Sequence, residues 1–380
     1  MQTELLKSLF KLYKESSLSG RYIHTGSIIN LLENSNIKPF VDCIGHSVKR
    51  EKIFSITIGS GAKKILMWSQ MHGNESTTTK AVFDLLNVLL ASDEVISKSI
   101  LGACTLKIIP ILNPDGAKAY SRLNANNIDL NRDAKDLSQP ESKVLRQIFE
   151  AFKPDYCFNL HGQRTIFSAG NTKFPATISF LAPAQDDTCS ITPTRKIAME
   201  IISEMNKNLQ QQIPNQVGIY DDAFNLNCVG DTFQSLNVPT VLFEAGHYAD
   251  DYCREITRAF IFQSLLVAVQ YISENSITGV NYKDYFKIPE NQKLFYDIVI
   301  RNTSKGDIGI QYEETLIDNS IHFIPKVEKI SDLSIFYAHN ELDASGNEVF
   351  SANKVPISEG SANDFVWINN EKSSLKLKKN

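Results

Sequence analysis

The chain has 380 residues, of which 42% are hydrophobic and 22% charged, and its formal net charge is -4. This composition is typical of a globular protein with one large and one small domain, and it predicts no basic face for nucleic acid. No membrane partner is expected, because no stretch approaches the roughly 20 apolar residues that span a bilayer. No signal-peptide pattern begins the chain and the six cysteines are dispersed. The sequence therefore predicts a cytoplasmic protein with free thiols.

In chain order, residues 1–37 predict a helical N-terminal segment and residues 38–275 a large catalytic domain. The predicted strands of this domain are residues 41–47, 52–58, 64–69, 105–112, 155–160, 177–183 and 238–243. The predicted helices are residues 78–91, 140–149, 192–212 and 254–273. Strands that alternate with helices indicate an α/β fold, with a mixed, mostly parallel central sheet covered by helices on both faces.

The character of the chain changes after about residue 276. No long helical period follows, and short strands are predicted at residues 293–299, 307–312, 320–324 and 333–338. We therefore predict a small β-rich C-terminal domain over residues 276–380, which ends in a basic tail.

Polar residues follow three of the predicted strands. His72 and Glu75 lie on the turn after the strand at 64–69, His161 follows the strand at 155–160, and Glu244 follows the strand at 238–243. Ligands bind outside the carboxyl ends of parallel strands, so these side chains are expected to converge. His72, Glu75 and His161 could then supply the three protein ligands of one catalytic zinc, with Glu244 as a general base. The alternatives are a chance His-Glu pair and an ion-paired or helix-capping glutamate.

The polar loop over residues 117–135 carries Arg122, Asn131 and Arg132. Guanidinium groups bind carboxylates in a bidentate manner and keep their charge, so this loop indicates an anionic substrate end or an oxyanion to stabilise. The alternative is a solvated loop with local Asn and Asp turns.

Five short motifs together resemble the zinc carboxypeptidase family, the superfamily of carboxypeptidases A and B. They are His72-Gly73-Asn74-Glu75, Asn113-Pro114-Asp115-Gly116, Ile128-Asp129-Leu130-Asn131-Arg132, Leu160-His161-Gly162 and Phe243-Glu244-Ala245-Gly246. They occur in the family's order, and the resemblance covers roughly residues 40–270.

The resemblance implies a role for each matching residue. His72, Glu75 and His161 match the ligands of one zinc ion, and Glu244 matches the base that deprotonates the attacking water and passes the proton to the leaving amine. Arg122 matches the arginine that polarises the scissile carbonyl. Asn131 and Arg132 match the pair that binds the substrate's terminal carboxylate, and Tyr220 matches the family's mobile tyrosine.

These roles predict a zinc-dependent hydrolase that cleaves a C-terminal peptide or amide bond. The His-Gly-Asn-Glu spelling and the β-rich C-terminal region also resemble the aspartoacylase and succinylglutamate desuccinylase branch, which removes an acyl group from an amino acid. The expected substrate is thus a peptide or an N-acyl amino acid with a free carboxylate. A non-catalytic binding module on the same fold is a further alternative, and the sequence indicates no particular oligomeric state or side-chain specificity.

Overall fold

The structure is a computed structural model that describes residues 2–91 and 94–377. It divides into two compact units: Met1–Gln163 with Ala176–Asn291, and Arg164–Pro175 with Gln292–Asn380. The domain division at residues 37 and 275 remains a prediction. The last three residues of the predicted basic tail lie outside the described residues.

The helices of the larger unit frame its sheet. They are α1 Thr3–Tyr13, α2 Thr25–Leu32, α3 Thr77–Leu89, α4 Val95–Ala103, α5 Pro114–Ala119, α6 Pro140–Phe152, α7 Pro193–Leu209, α8 Val229–Ser235 and α9 Glu255–Glu274. Short 3-10 helices cover Lys38–Phe40, Leu130–Arg132 and Tyr282–Lys287. Proline begins α5, α6 and α7, at a position where its missing N–H costs no hydrogen bond. The sequence did not predict α4, α5 and α8, because helices this short show little periodicity.

Eight strands form one mixed sheet in the larger unit. The strands up to α9 are, in chain order, β1 Val41–His46, β2 Lys52–Gly59, β3 Lys63–Ser69, β4 Cys104–Ile109, β5 Tyr156–Gly162, β6 Phe167–Ala169, β7 Ile178–Leu181, β8 Val217–Ile219 and β9 Thr240–Ala245. All but β6 belong to this sheet, in the order β1-β2-β4-β3-β5-β9-β7-β8. Pairing is parallel between β4 and β3, between β3 and β5, between β5 and β9, and between β7 and β8. It is antiparallel between β1 and β2, between β2 and β4, and between β9 and β7. The predicted mixed, mostly parallel sheet is confirmed.

The strands β3, β5 and β9 lie side by side at the centre of this sheet and run parallel. Their carboxyl ends therefore meet at one edge. In this register Ser69 is the partner of Leu160, and His161 is the partner of Glu244. The sheet thus brings the turn after β3, the end of β5 and the end of β9 to the same place.

Apolar side chains cover both faces of the sheet. Residues of α1, α3, α7 and α9 form the larger buried cluster, and residues of α6 and α8 join the cluster on the opposite face. Among the described residues, α9 is long and apolar enough to cross a membrane, which corrects the expectation that no such stretch exists. In this helix 67% of the apolar stretch is buried, where α9 packs against α3 and α7.

A buried ion pair joins α3 to α9. Arg258 donates to both oxygens of Asp84 at 2.6 and 2.7 Å, and neither side chain has measurable exposure. The same guanidinium donates to the carbonyl oxygens of Glu15 and Leu18 at 2.8 and 2.6 Å. The segment between α1 and α2 is thereby tied to both helices by charge-assisted hydrogen bonds.

The smaller unit is built from short sheets, as predicted for the C-terminal region. Its further strands are β10 Asn291–Lys293, β11 Phe295–Arg301, β12 Asp307–Ile317, β13 Ser320–Ser331, β14 Tyr337–Asp343, β15 Val349–Phe350, β16 Phe365–Ile368 and β17 Glu371–Ser374. They form the sheets β10-β6, β13-β12-β11-β14 and β15-β16-β17. A separate apolar cluster lies within this unit, centred on residues such as Ile298, Ile310 and Val366.

Candidate active site

The turn between β3 and α3 carries the first two candidate ligands. His72 is 2% exposed, and its Nδ1 lies 2.8 Å from Oε1 of Glu75. The backbone N–H of Glu75 donates to the carbonyl oxygen of His72 at 3.1 Å, which closes the turn. The two side chains therefore face each other before any other element contributes.

His161 joins them from the end of β5. Its Nδ1 lies 3.1 Å from Nδ1 of His72 and 3.0 Å from Oε2 of Glu75. One donor atom from each of the three residues lies within 4.8 Å of the other two. The backbone N–H of Gly162, at the end of β5, also donates to Oε2 of Glu75 at 2.9 Å. This bond holds the carboxylate against the end of β5.

The charges of these three groups depend on one another. Burial lowers the pKa of His72, but the negative charge of Glu75 and hydrogen bonds to Asp129 and Glu75 raise it above the usual value. Burial opposes the charge on Glu75, but the charge of His72 and hydrogen bonds from both histidines hold its pKa well below the usual value. Burial lowers the pKa of His161, which favours the neutral imidazole that metals bind. Two imidazoles and a carboxylate form a donor set that matches a catalytic zinc site.

Asp129 orients His72 and was given no role by the sequence. Its Oδ1 lies 3.0 Å from Nε2 of His72, and the carboxylate also accepts from the backbone N–H of Asn131 at 2.9 Å. In the neutral form of His72 with its proton on Nε2, directed at Asp129, the lone pair of Nδ1 points toward Glu75 and His161. Because of these contacts and the charge of Arg122, the pKa of Asp129 is lowered although burial alone would raise it. The Asp-Leu-Asn-Arg motif contained this residue, but only the fold reveals its partner.

The Asn-Pro-Asp-Gly motif packs against the turn between β3 and α3. Asn113 caps α5 by accepting from the N–H of Gly116 at 2.9 Å, and its Nδ2 donates to the carbonyl oxygen of Met71 at 3.1 Å. A Cβ on Gly73 would lie 2.0 Å from the backbone of Gly116, so these two segments are in direct contact. This close approach requires glycine at position 73.

Glu244 lies at the end of β9, beside His161. It is 9% exposed, and its Oε2 has no hydrogen-bond partner among the described residues. Burial and the negative charge of Glu75 raise the pKa of Glu244 well above its usual value, against the positive charges of Arg122 and Arg254. Arg254 is buried beneath this strand end, where it donates to the carbonyl oxygens of Ala245 and Gln163. No sequence motif pointed to this arginine.

Arg122 lies at the rim of the site. Its guanidinium donates to Oε1 of Glu75 at 3.3 Å and to Oδ2 of Asp129 at 3.1 Å. The side chain is 46% exposed, so part of its charge faces solvent.

Asn131 and Arg132 follow Asp129 and turn toward the start of α8. The side-chain oxygen of Asn131 accepts from the N–H of Val229 at 3.0 Å, and this side chain is nearly buried. Arg132 is exposed and donates to the carbonyl oxygen of Asn131 at 2.7 Å. Burial raises the pKa of the neighbouring Cys228, against the positive charge of Arg132. Asn131 is thus held by a structural bond, whereas the guanidinium of Arg132 faces solvent.

Tyr220 follows β8, and its backbone N–H donates to the carbonyl oxygen of Phe180 at 2.9 Å. Burial, followed by the negative charges of Glu244 and Glu75, raises the pKa of its phenol. The charges of both carboxylates therefore act on this phenol.

Known proteins are similar to this chain in sequence. The family model for zinc carboxypeptidases matches residues 33–252. Carboxypeptidase 2 of Trichophyton rubrum is 29% identical over 116 residues, which cover 30% of this chain and 21% of that protein. The match thus spans about a fifth of that relative's length.

Solved structures show the same fold. Carboxypeptidase A of Helicoverpa armigera aligns with a TM-score of 0.52 at 15% identity, over 71% of this chain and 79% of its own. A metallo-carboxypeptidase of Burkholderia cenocepacia aligns with a TM-score of 0.50 at 16% identity, over 65% and 68%. Since the family model matches more than half of the sequence, this chain belongs to the zinc carboxypeptidase family.

Proposed function

We propose that the protein is a zinc-dependent hydrolase that removes the C-terminal residue of a peptide or cleaves a similar amide bond. The observation that carries this proposal is the meeting of His72, Glu75 and His161 within 4.8 Å, with the buried carboxyl group of Glu244 on the adjoining strand. This is the combination of ligands and base that the chemistry needs.

One zinc ion would be held by Nδ1 of His72, the carboxylate of Glu75 and Nδ1 of His161. When bound, zinc polarises a carbonyl group and lowers the pKa of a water molecule. Asp129 supports this role by fixing the tautomer and ring orientation of His72, as carboxylates do behind histidine ligands.

Glu244 is proposed to take the proton of the attacking water and deliver it to the leaving amine. Its raised pKa supports the role, because a carboxylate with a higher pKa is a stronger base. Burial also excludes competing solvent from the carboxyl group.

Arg122 is proposed to stabilise the negative charge that develops on the scissile carbonyl oxygen. Asn131 and Arg132 are proposed to bind the free carboxylate of the substrate, and Tyr220 to contact the substrate from the loop after β8. An internal peptide segment has no carboxylate to offer, so this contact would place only the last bond over the reacting groups.

Replacing Asp129 by alanine should weaken zinc binding by about 10–100-fold, because His72 loses the partner that orients its ring. Competition with a chromophoric chelator measures the dissociation constant. Asp136→Ala is the matched control, since Asp136 is an exposed aspartate directly after the same loop and accepts a hydrogen bond from Asn227. Equal affinities for zinc in the Asp129 and Asp136 variants would contradict the role of Asp129.

The proposed carboxylate contact is tested with paired peptides that end in a free acid or in an amide. The wild-type protein should prefer the peptide with the free acid. Arg132→Gln should lower kcat/KM for that peptide by about 10–100-fold, the factor expected from losing a hydrogen bond between charged groups. Its activity on the amidated peptide should not change. A variant that hydrolyses both peptides as the wild type does would remove Arg132 from substrate binding.

An N-acyl-amino-acid deacylase is the second candidate function. The β-rich smaller unit favours it, because the deacylase branch that shares the His-Gly-Asn-Glu spelling carries such a domain. Assaying N-acyl amino acids beside the peptides, with identification of the products by mass spectrometry, distinguishes the two activities.

A further inference from the structure

Gln70 occupies the last position before the turn that carries His72 and Glu75. Its side chain has no measurable exposure, and its backbone φ is +45°. Residues other than glycine rarely adopt this left-handed conformation, so the surrounding contacts must hold it in place.

The amide group of Gln70 makes three hydrogen bonds in three directions. Its Nε2 donates to the carbonyl oxygen of Gly73 at 2.7 Å and to that of Ile23 at 2.9 Å. Its Oε1 accepts from the hydroxyl group of Thr79 at 2.8 Å. One buried side chain thus connects the middle of the turn, the first turn of α3 and the segment between α1 and α2.

The backbone of the turn is bound on its other side by Asn113. The N–H of Asn113 donates to the carbonyl oxygen of Gln70 at 3.0 Å, and its side chain donates to that of Met71. Carbonyl groups both before and after His72 are therefore fixed. Rotation of the peptide units that carry the His72 and Glu75 side chains would break at least one of these bonds.

We propose that Gln70 is a positioning residue for the metal site, which sets the placement of His72 and Glu75 through the carbonyl group of Gly73. This inference rests on the proposed zinc-dependent function. It gives the N-terminal segment a part in the site, although Ile23 lies outside the residues that match the family. Two further hydrogen bonds connect the N-terminal segment to the start of α3. Ser76, the residue before α3, donates to the carbonyl oxygen of Arg21, and Lys80 of α3 donates to that of Gly20 at 2.7 Å.

The test compares Gln70→Ala and Gln70→Gly with the wild type. Both variants remove the amide group, and glycine also tolerates the positive φ, so the Gly variant should fold. The matched control is Gln263→Ala, which removes a buried glutamine of α9 that accepts a hydrogen bond from Gln212. Circular dichroism and thermal unfolding establish folding and stability for each protein.

The readout is the zinc dissociation constant, measured by chelator competition without substrate. We expect both Gln70 variants to bind zinc about 10–100-fold more weakly than the wild type, and Gln263→Ala to bind it normally. A folded Gln70→Gly protein with zinc affinity within about twofold of the wild type would overturn the positioning role of Gln70 but not the proposed zinc-dependent function. An equal loss in Gln263→Ala would overturn it too, since the effect would then be general destabilisation. A wild-type protein that binds no zinc would overturn the proposed function as well.

Discussion

Replacing Glu244 by glutamine should lower kcat by about two to four orders of magnitude, the usual contribution of a positioned acid-base group. The substitution keeps the size and hydrogen-bonding capacity of the side chain but removes its ability to take a proton. Steady-state kinetics on a peptide with a free C-terminus measures the loss. Zinc binding should be unchanged, because Glu244 is not among the three proposed ligands.

Glu200→Gln is the matched control for this experiment. Glu200 is a buried glutamate of α7 whose carboxylate accepts from Tyr271 at 2.7 Å and from Asn281 at 3.2 Å, and it has no proposed part in the reaction. Its variant should keep wild-type kcat. Full turnover in the Glu244 variant would remove this residue from the mechanism.

Replacing Arg258 by methionine should cost about 3–5 kcal/mol of the free energy of unfolding of the larger unit, because Asp84 is left as an uncompensated buried charge. Burial already raises the pKa of Asp84, against the hydrogen bonds from Arg258. Denaturant unfolding can be followed by the fluorescence of the buried Trp68 in a Trp367→Phe background, since the chain has two tryptophans.

Lys7→Met is the control, because Lys7 and Glu4 form an ion pair in which both side chains are at least half exposed. It should change stability by less than about 1 kcal/mol. Adding Asp84→Leu to Arg258→Met should recover part of the loss by removing the unpaired carboxylate. Equal losses in the Arg258 and Lys7 variants would contradict a structural role for the buried pair.

The sequence predicted much of the fold because its physical signals are local. Long apolar runs at residues 64–69 and 155–160 predicted the strands that became β3 and β5. Polar residues placed directly after these runs predicted a shared site, because parallel strands end at one edge. The structure brings His72, Glu75 and His161 together at that edge.

Other features depend on contacts that a sequence does not display. Asp129 meets His72 across 57 residues of chain, and Gln70 meets Ile23 across 47. Neither pair has a spacing that a motif could reveal.

The central claim is that one zinc ion, held by His72, Glu75 and His161, is required for hydrolysis of a C-terminal bond. The most direct measurement strips the purified protein with a chelator and restores zinc in steps, with bound metal and peptide hydrolysis followed in the same samples. We expect activity to disappear on stripping and to rise in proportion to bound zinc until one equivalent is reached. A folded protein that binds no zinc, or one that hydrolyses the peptide equally well without it, would contradict the account.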